Sequence, residues 1–248
     1  KPVAISNFEM NANNNKITNL GEPTAAQDAA TKAYVDALEA TVTTLLAMVQ
    51  ELEISNGFFT DTRDNNRYNV VKIGDQIWMA ENLKYLPSVN GSGESSEAPY
   101  YYVYNYYSDN LEDAKATENY ATYGVLYNWT AAQDACPAGW HLPSDAEWTI
   151  LTDYLDENAG GKLKEAGYDH WQSPNTGANN ESGFTALPGG YRGYDGGFDS
   201  IVYYGIWWSS TEYDANFAWF RGLRYDNSGV HRDYYYRESG FSVRCVRD

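Results

Sequence analysis

Hydrophobic and polar positions change rhythm once, near residue 57, along the 248-residue chain. From Ala25 to about Glu53 there is no Gly or Pro. Val35, Leu38, Val42, Leu45, Val49 and Leu52 recur there at spacings of 3, 4, 3, 4 and 3. That is the seam of a helix with β-branched residues at a and leucine at d. Asp36, Glu39, Thr41, Thr43, Gln50 and Glu51 occupy its other faces. So short and narrow-striped a helix is marginal alone in water. It packs on its own domain or on copies of itself, and we read a coiled-coil shaft over residues 25–55. The preceding residues 1–24 are polar and Asn-rich; Pro23 stops whatever comes before, and Thr24 fits an N-cap.

Asn56-Gly57 ends the helical pattern. From Phe58 onward the texture is that of strands. Tyr68–Met79 reads as two strands joined at Gly74-Asp75. Residues 88–98 form a Ser/Gly/Glu loop, and 100–107 alternate too little to assign faces. Residues 127–135 predict a short helix. Ser144-Asp-Ala-Glu147 is a capping box that opens a second helix through Trp148, Leu151 and Leu155. The remainder is Gly- and Trp-rich and strand-like, without a fixed-period repeat.

Composition narrows the function classes. Hydrophobic residues make up 43%, enough for a core, and the net charge of −17 disfavours nucleic acid, whose phosphates need a basic face. No apolar run approaches the roughly 18 residues of a membrane span, so membrane insertion is not expected. The chain begins at Lys1 without Met or an apolar leader, which reads as a fragment or processed form. The 23 tyrosines stand out, because Tyr supplies stiff amphipathic contact area and is common on recognition surfaces. Two cysteines, Cys136 and Cys245, fit no CxxC pattern; two free thiols and one long-loop disulfide both remain open.

The stretch Asn14–Asp36, Asn-Asn-Lys-Ile-Thr-Asn-Leu-Gly-Glu-Pro-Thr-Ala-Ala-Gln-Asp-Ala-Ala-Thr-Lys-Ala-Tyr-Val-Asp, is similar to a segment of phage tail-fibre proteins that leads into a parallel, usually trimeric, shaft. A Val-a/Leu-d seam by itself leans toward dimers; the resemblance implies a homotrimer. Residues 58–248 resemble the Fibrobacter succinogenes major paralogous domain. The matching motifs are Asp61-Thr-Arg-Asp64, Ile77–Leu83 (Ile-Trp-Met-Ala-Glu-Asn-Leu), Tyr123–Trp129, Cys136–Trp148, Leu187–Arg192, Trp207–Glu212 and Gly240–Arg247. The resemblance implies an α+β, C-type-lectin-like fold of the formylglycine-generating-enzyme type. It also implies that Cys136 and Cys245 are framework cysteines joined in a disulfide.

Domains of this group include variable proteins of diversity-generating retroelements, in which template Asn codons are converted to NNC codons near the 3′ end of the gene. The C-terminal residues read as such a mosaic. Trp219, Arg221, Leu223, Val230, Arg232 and Gly240–Arg247 have the look of framework. Tyr213, Asp214, Asn216, Phe217, Phe220, Gly222, Tyr225, Asp226, Ser228, His231, Asp233, Tyr234, Tyr235 and Tyr236 have the look of substituted positions, and each is encodable by NNC. Alternation along 219–224 predicts that Trp219, Arg221 and Leu223 face the core while Phe220, Gly222 and Arg224 face outward. All but Gly222 of the fourteen are therefore the expected ligand-binding residues. Phe217, Phe220, Tyr225, His231, Tyr234, Tyr235 and Tyr236 are expected on one face. Residues 221–248 hold six arginines against four acids, a balance of +2 that leaves −19 for the rest.

Catalytic chemistry has no constellation. His141, His170 and His231 sit in separate contexts, and His141 reads as structural. Asp195-Gly-Gly-Phe-Asp199 is a Gly turn rather than a calcium loop of the Asp-x-Asp-x-Asp-Gly kind. The sugar-binding tripeptides Glu-Pro-Asn and Gln-Pro-Asp are absent. A copper oxidase of the formylglycine-generating kind would need a reactive cysteine pair beyond the framework pair. No catalytic residue, metal or cofactor is therefore assigned. The expected organisation is a tail-fibre-like segment (1–24), a coiled-coil shaft (25–55) and a C-type-lectin-like head (56–248). The expected role is the receptor-binding tip of a phage tail fibre, extracellular on the virion, adhering to a host-cell-surface protein or glycan. The alternative is a bacterial surface or secreted adhesive protein that uses the same domain with fixed sequence.

Overall fold

The computed structural model describes residues 32–248. The segment 1–24, its Thr24 cap and shaft residues 25–31 lie outside the described residues. The chain divides into two units, 1–52 and 53–248. Helix α1 (Lys32–Ser55) buries none of its residues, and its seam from Val35 to Leu52 is exposed. It ends where Asn56-Gly57 was expected to end it, with Gly57 at φ +83°.

The second unit is α+β. Its first sheet has the order β1–β2–β3–β13–β6. These strands are Phe58–Thr60, Arg67–Ile73, Gln76–Met79, Val246–Arg247 and Trp140–His141 respectively. As the sequence predicts, β2 and β3 form a hairpin turning at Gly74-Asp75, where Gly74 takes φ +61°. Glycine suits that position because two-residue hairpin turns require left-handed backbone. The second sheet has the order β11–β10–β9–β12–β5–β4. It comprises β4 (Tyr101–Tyr102), β5 (Leu126–Tyr127), β9 (Tyr204–Glu212), β10 (Phe217–Arg224), β11 (His231–Tyr236) and β12 (Phe241–Ser242). Strand β7 (Gly189–Arg192) joins β9 in parallel and carries β8 (Phe198–Ile201).

Short helices fill the connections. Asn110 caps α2 (Leu111–Lys115), Thr117 caps α3 (Glu118–Tyr123), and Asn128 caps α4 (Trp129–Gln133). The Ser144 capping box is formed in full at the start of α5 (Asp145–Leu155), which buries Trp148, Leu151 and Leu155. Helix α6 (Ala159–Leu163) contains Gly160-Gly161. Glycine lowers helix propensity, so the sequence pattern hides this element. Packing explains it: a Cβ at Gly160 would meet the Gly229 carbonyl oxygen at 2.2 Å, and one at Gly161 the Gly177 carbonyl oxygen at 2.3 Å.

Two cores result. One gathers Phe59, Tyr127, Trp208, Phe220 and Phe241 with aliphatic neighbours. The other centres on Trp78, Trp148, Phe184 and Trp207, whose rings approach within 4.8–6.5 Å. Cys136 and Cys245 are joined in a disulfide. His141 is a strut: its Nε2 meets Glu147 at 2.7 Å and its Nδ1 meets Asp248 at 2.6 Å.

Burial raises the phenol pKa of Tyr68, Tyr102 and Tyr127 far above the usual 10. The stability tied to these neutral phenols is fully present below pH 10 and is lost as pH rises toward the folded values. Burial lowers the Arg244 guanidinium to about 9 and the Lys164 ammonium to about 8 and also lowers Arg221, which acts in the opposite sense. These cations are outnumbered by the phenols that burial raises, Tyr101, Tyr104, Tyr120, Tyr123, Tyr191 and Tyr204 among them. Urea midpoints should therefore fall steeply between pH 10 and 11, with 295 nm absorbance showing delayed tyrosinate formation until the chain unfolds. A flat midpoint across that window would contradict the burial of these hydroxyls.

Candidate functional site

Strands β9, β10 and β11 form an antiparallel ribbon, and its register sorts the side chains. Trp219 pairs with Tyr234, Arg221 with Arg232 and Phe217 with Tyr236, so these six share one face. Ala218 pairs with Tyr235, Phe220 with Asp233 and Gly222 with His231 on the other face.

The first face carries a continuous aromatic cluster at the Phe217 end. Tyr213 and Tyr234 stack with centroids 3.8 Å apart and planes 6° from parallel. Trp219 stands edge-on to both, at 5.2 and 5.8 Å. Phe217 lies 4.5 Å from Tyr236, and Tyr194 lies 4.6 Å from it. Tyr213 and Tyr234 are 46% and 38% exposed, so the cluster is surface. The hydrogen bond to the Tyr213 hydroxyl raises the Tyr234 phenol pKa.

The expectation of a single face holding all seven aromatic candidates is not met. Phe220, expected outward, is 8% exposed and packs in the first core against Phe241 at 5.3 Å. Trp219, expected in the core, is half-buried and belongs to the surface cluster. Both faces of β10 meet other elements, so strand alternation separates its faces without saying which one is covered. Tyr235 lies opposite Tyr234, with His231 and Asp233. Tyr225, Asp226 and Ser228 sit beyond the far end of β10, whose 8 residues separate Tyr225 from Asn216, roughly 30 Å at strand rise. There Tyr225 packs on Tyr203 at 5.2 Å, Asp226 accepts from Arg224, and Ser228 meets Asn158. Asp214 and Asn216 lie in the β9–β10 turn beside the cluster.

The turns at both ends are gripped through their backbone. The buried Lys164 ammonium donates to the carbonyls of Arg224, Asn227 and Thr176 at 2.9–3.0 Å. Desolvation lowers its pKa to about 8, yet three acceptors match the three N–H bonds of an ammonium. Gly161 N–H donates to the Ser228 carbonyl, and Thr176 N–H to that of Tyr225. At the other turn Arg237 donates to the Asp214 carbonyl through its side chain and to the Asn216 carbonyl through its amide. These bonds are indifferent to the side chains displayed at positions 214, 216, 225 and 228.

Charge on the first face is neutralised locally. Asp145, at the start of α5, takes Arg221 at 2.6 Å and Arg232 at 2.9 Å. Burial works against its ionisation, but the hydrogen bonds from Arg232 and Arg221 outweigh it and lower the Asp145 pKa. Arg232 also lies 3.6 Å over Trp219, which fixes that ring. Arg237 pairs with Glu212, and Arg244 is buried without a carboxylate partner. Arg221, Arg237 and Arg244 are thus used inside the fold, while Arg224 and Arg232 are 42% and 47% exposed and paired with Asp226 and Asp145. Among the described residues no group of three or more His, Cys, Asp or Glu is placed to hold a metal ion. None of the described helices is long and apolar enough to cross a membrane.

Sequence reasoning missed Tyr194 as a surface partner of Tyr236. No local signal marks it, since its position depends on where the β7–β8 hairpin docks. Trp219 was visible through its cross-strand relation to Tyr234, had the β10–β11 register been known.

Fold and site together define a disulfide-bonded α+β domain that displays aromatic side chains from a backbone-anchored ribbon. Residues 71–247 match the Fibrobacter succinogenes major domain, and the chain belongs to that family. No curated protein and no solved structure matches the chain. Several family motifs have structural roles here: the cysteines pair, Ser144-Asp-Ala-Glu147 caps α5, and Asn82, Trp207 and Arg244 share a buried hydrogen-bond network.

Proposed function

We propose that this chain is the receptor-binding tip of a phage tail fibre, with a C-type-lectin-like head and a diversified binding surface. The observation that carries the proposal is the Tyr213–Trp219–Phe217–Tyr234–Tyr236 cluster, displayed from turns held by backbone bonds. Such a surface supplies large contact area with few rotors to freeze, on a frame that accepts substitution. Most positions that read as NNC-substituted fall on the ribbon or its two turns. The likeness of residues 14–36 to tail-fibre proteins supports the virion setting. The exposed Val-a/Leu-d seam of α1 supports self-association, and three linked heads would raise avidity about 10²–10⁴-fold over one.

Adsorption to host cells tests this. The triple variant Y213S/Y234S/Y236S should lose or redirect adsorption while losing only about 1–2 kcal/mol of stability, since the rings are partly exposed. L45D/V49D should give monomers with folded heads and weak, reversible adsorption. Adsorption that survives the tyrosine changes, or a collapse of the fold, would remove the cluster as the binding surface. A trimer that survives L45D/V49D would place the assembly in the heads.

A further inference from the structure

On the opposite side of β11 from the Tyr213–Tyr234 stack lies a cleft with two adjacent compartments that share lining residues. Tyr191 and Tyr235, edge to face at 6.3 Å, line both. The first compartment has a volume of about 200 Å³, and Tyr204, Phe220 and Phe241 complete its aromatic wall. Ile206 and Ser200 close it, so apart from phenol groups it offers one hydroxyl. The second has a volume of about 370 Å³ and is bordered by Tyr194, Phe198, Asp195 and Asp199.

The cleft has an electrostatic sign. Asp195 and Asp199 are exposed, and their hydrogen bonds within the chain come from the backbone amides of Gly197 and Ser200. Asp233, cross-strand from Phe220, adds a third carboxylate near Tyr204. Arg224 stands 5.8 Å from the Tyr204 ring and is held by both oxygens of Asp226, while the buried Arg192 lies behind the Gly196 turn with Glu94 at 3.7 Å. Burial and then the charges of Asp199 and Asp195 raise the Tyr191 phenol pKa, which registers the same negative potential. Ring faces are themselves negative through their quadrupole, so walls and rim select for positive charge.

We propose that this cleft binds a primary ammonium on an alkyl stem, as presented by a lysine side chain of a host-surface protein. The stem occupies the aromatic compartment, and the ammonium sits between Asp195 and Asp199 with Tyr191 and Tyr235 alongside. A sugar would find too few hydrogen-bond partners in the aromatic compartment to replace its water. A compact quaternary ammonium would fill that compartment but leave the carboxylates unused. Only Phe220, Asp233 and Tyr235 of the cleft are among the NNC-type positions; Tyr191, Tyr194, Asp195 and Asp199 lie outside that mosaic. The cleft then has constant carboxylates at Asp195 and Asp199 and a constant Tyr191, with walls that the varied positions Phe220 and Tyr235 tune. It rests on the adhesion reading only for the source of the lysine.

The test uses the whole chain and small probes, without cells. Butylammonium reproduces the lysine side chain beyond Cα, and butan-1-ol is its neutral isostere. Titration followed by NMR of ring-labelled tyrosine at low salt should show saturable shifts of Tyr191 and Tyr235 with butylammonium. Affinity for butan-1-ol should be at least tenfold weaker. D195N/D199N, both at exposed positions, should bring butylammonium down to the level of the alcohol with an unchanged melting temperature. Equal binding of the alcohol, retained affinity in D195N/D199N, or no saturable shift overturns the proposal. Tighter binding of choline or methyl glucoside than of butylammonium overturns it in favour of those ligands. Because host cells are absent, failure here leaves the adsorption test of the Tyr213–Tyr234 cluster standing, and the reverse also holds.

Discussion

Replacing Asn82 by Ala should cost at least 3–5 kcal/mol, as expected when a buried charge loses a partner. Asn82 is 5% exposed, and all of its amide is used. Its oxygen accepts from Trp207 Nε1 at 2.8 Å and from Arg244 Nη2 at 2.9 Å. Its nitrogen donates to the Tyr123 carbonyl at 3.0 Å and to Ser242 Oγ at 3.3 Å. The Arg244 guanidinium is fully buried and is otherwise held by the carbonyls of Met79 and Phe184 and by the Phe184 ring at 4.2 Å. Its hydrogen bonds all go to neutral acceptors, and Glu81 favours the charge without a direct ion pair. Loss of one acceptor leaves guanidinium and indole N–H groups unsatisfied where water does not reach. The check is urea denaturation of N82A, R244M and N82A/R244M. The double variant should recover part of the N82A loss, because removing the charge removes the penalty of stranding it. Strict additivity of the two changes would mean that Asn82 and Arg244 act independently.

Removing the disulfide as C136A/C245A should lower stability by about 2–5 kcal/mol. The cysteines are 109 residues apart, so the bond closes a long loop, and the chain-entropy model places the effect near 4–5 kcal/mol. Cys136 follows α4 and Cys245 immediately precedes β13, with every residue of the display ribbon between them. Cys245 is fully buried and its carbonyl accepts from Met79 N–H, so the disulfide ties the segment after α4 to a residue already paired with β3. Equilibrium unfolding of the variant and of the reduced wild-type chain should give similar midpoints, both well below the oxidised form. A loss under about 1 kcal/mol would mean that packing alone holds these strands together.

How far the chain could be read before its structure was known differs from element to element. Local signals were sufficient where the cause is local. The capping box at Ser144 and Glu147, the Gly74-Asp75 hairpin and the stop at Asn56-Gly57 depend on neighbours within a few residues, and all appear as read. The family motifs brought the Cys136–Cys245 pairing with them, which spacing alone left open. Helix α6 was invisible because its two glycines satisfy close packing against Gly229 and Gly177 rather than helix propensity. The display surface was legible as a set of residues but not as a face. Alternation in β10 placed Trp219 and Phe220 on opposite sides. Which side is covered depended on Phe241 and Trp208 packing over Phe220, and on Asp145 and Arg232 holding Trp219 at the edge. Those partners lie up to some 75 residues away along the chain. A residue's own sequence neighbourhood determines its local conformation and its side of a strand. Its burial is determined by what the rest of the chain brings against it, and only the tertiary structure decides that.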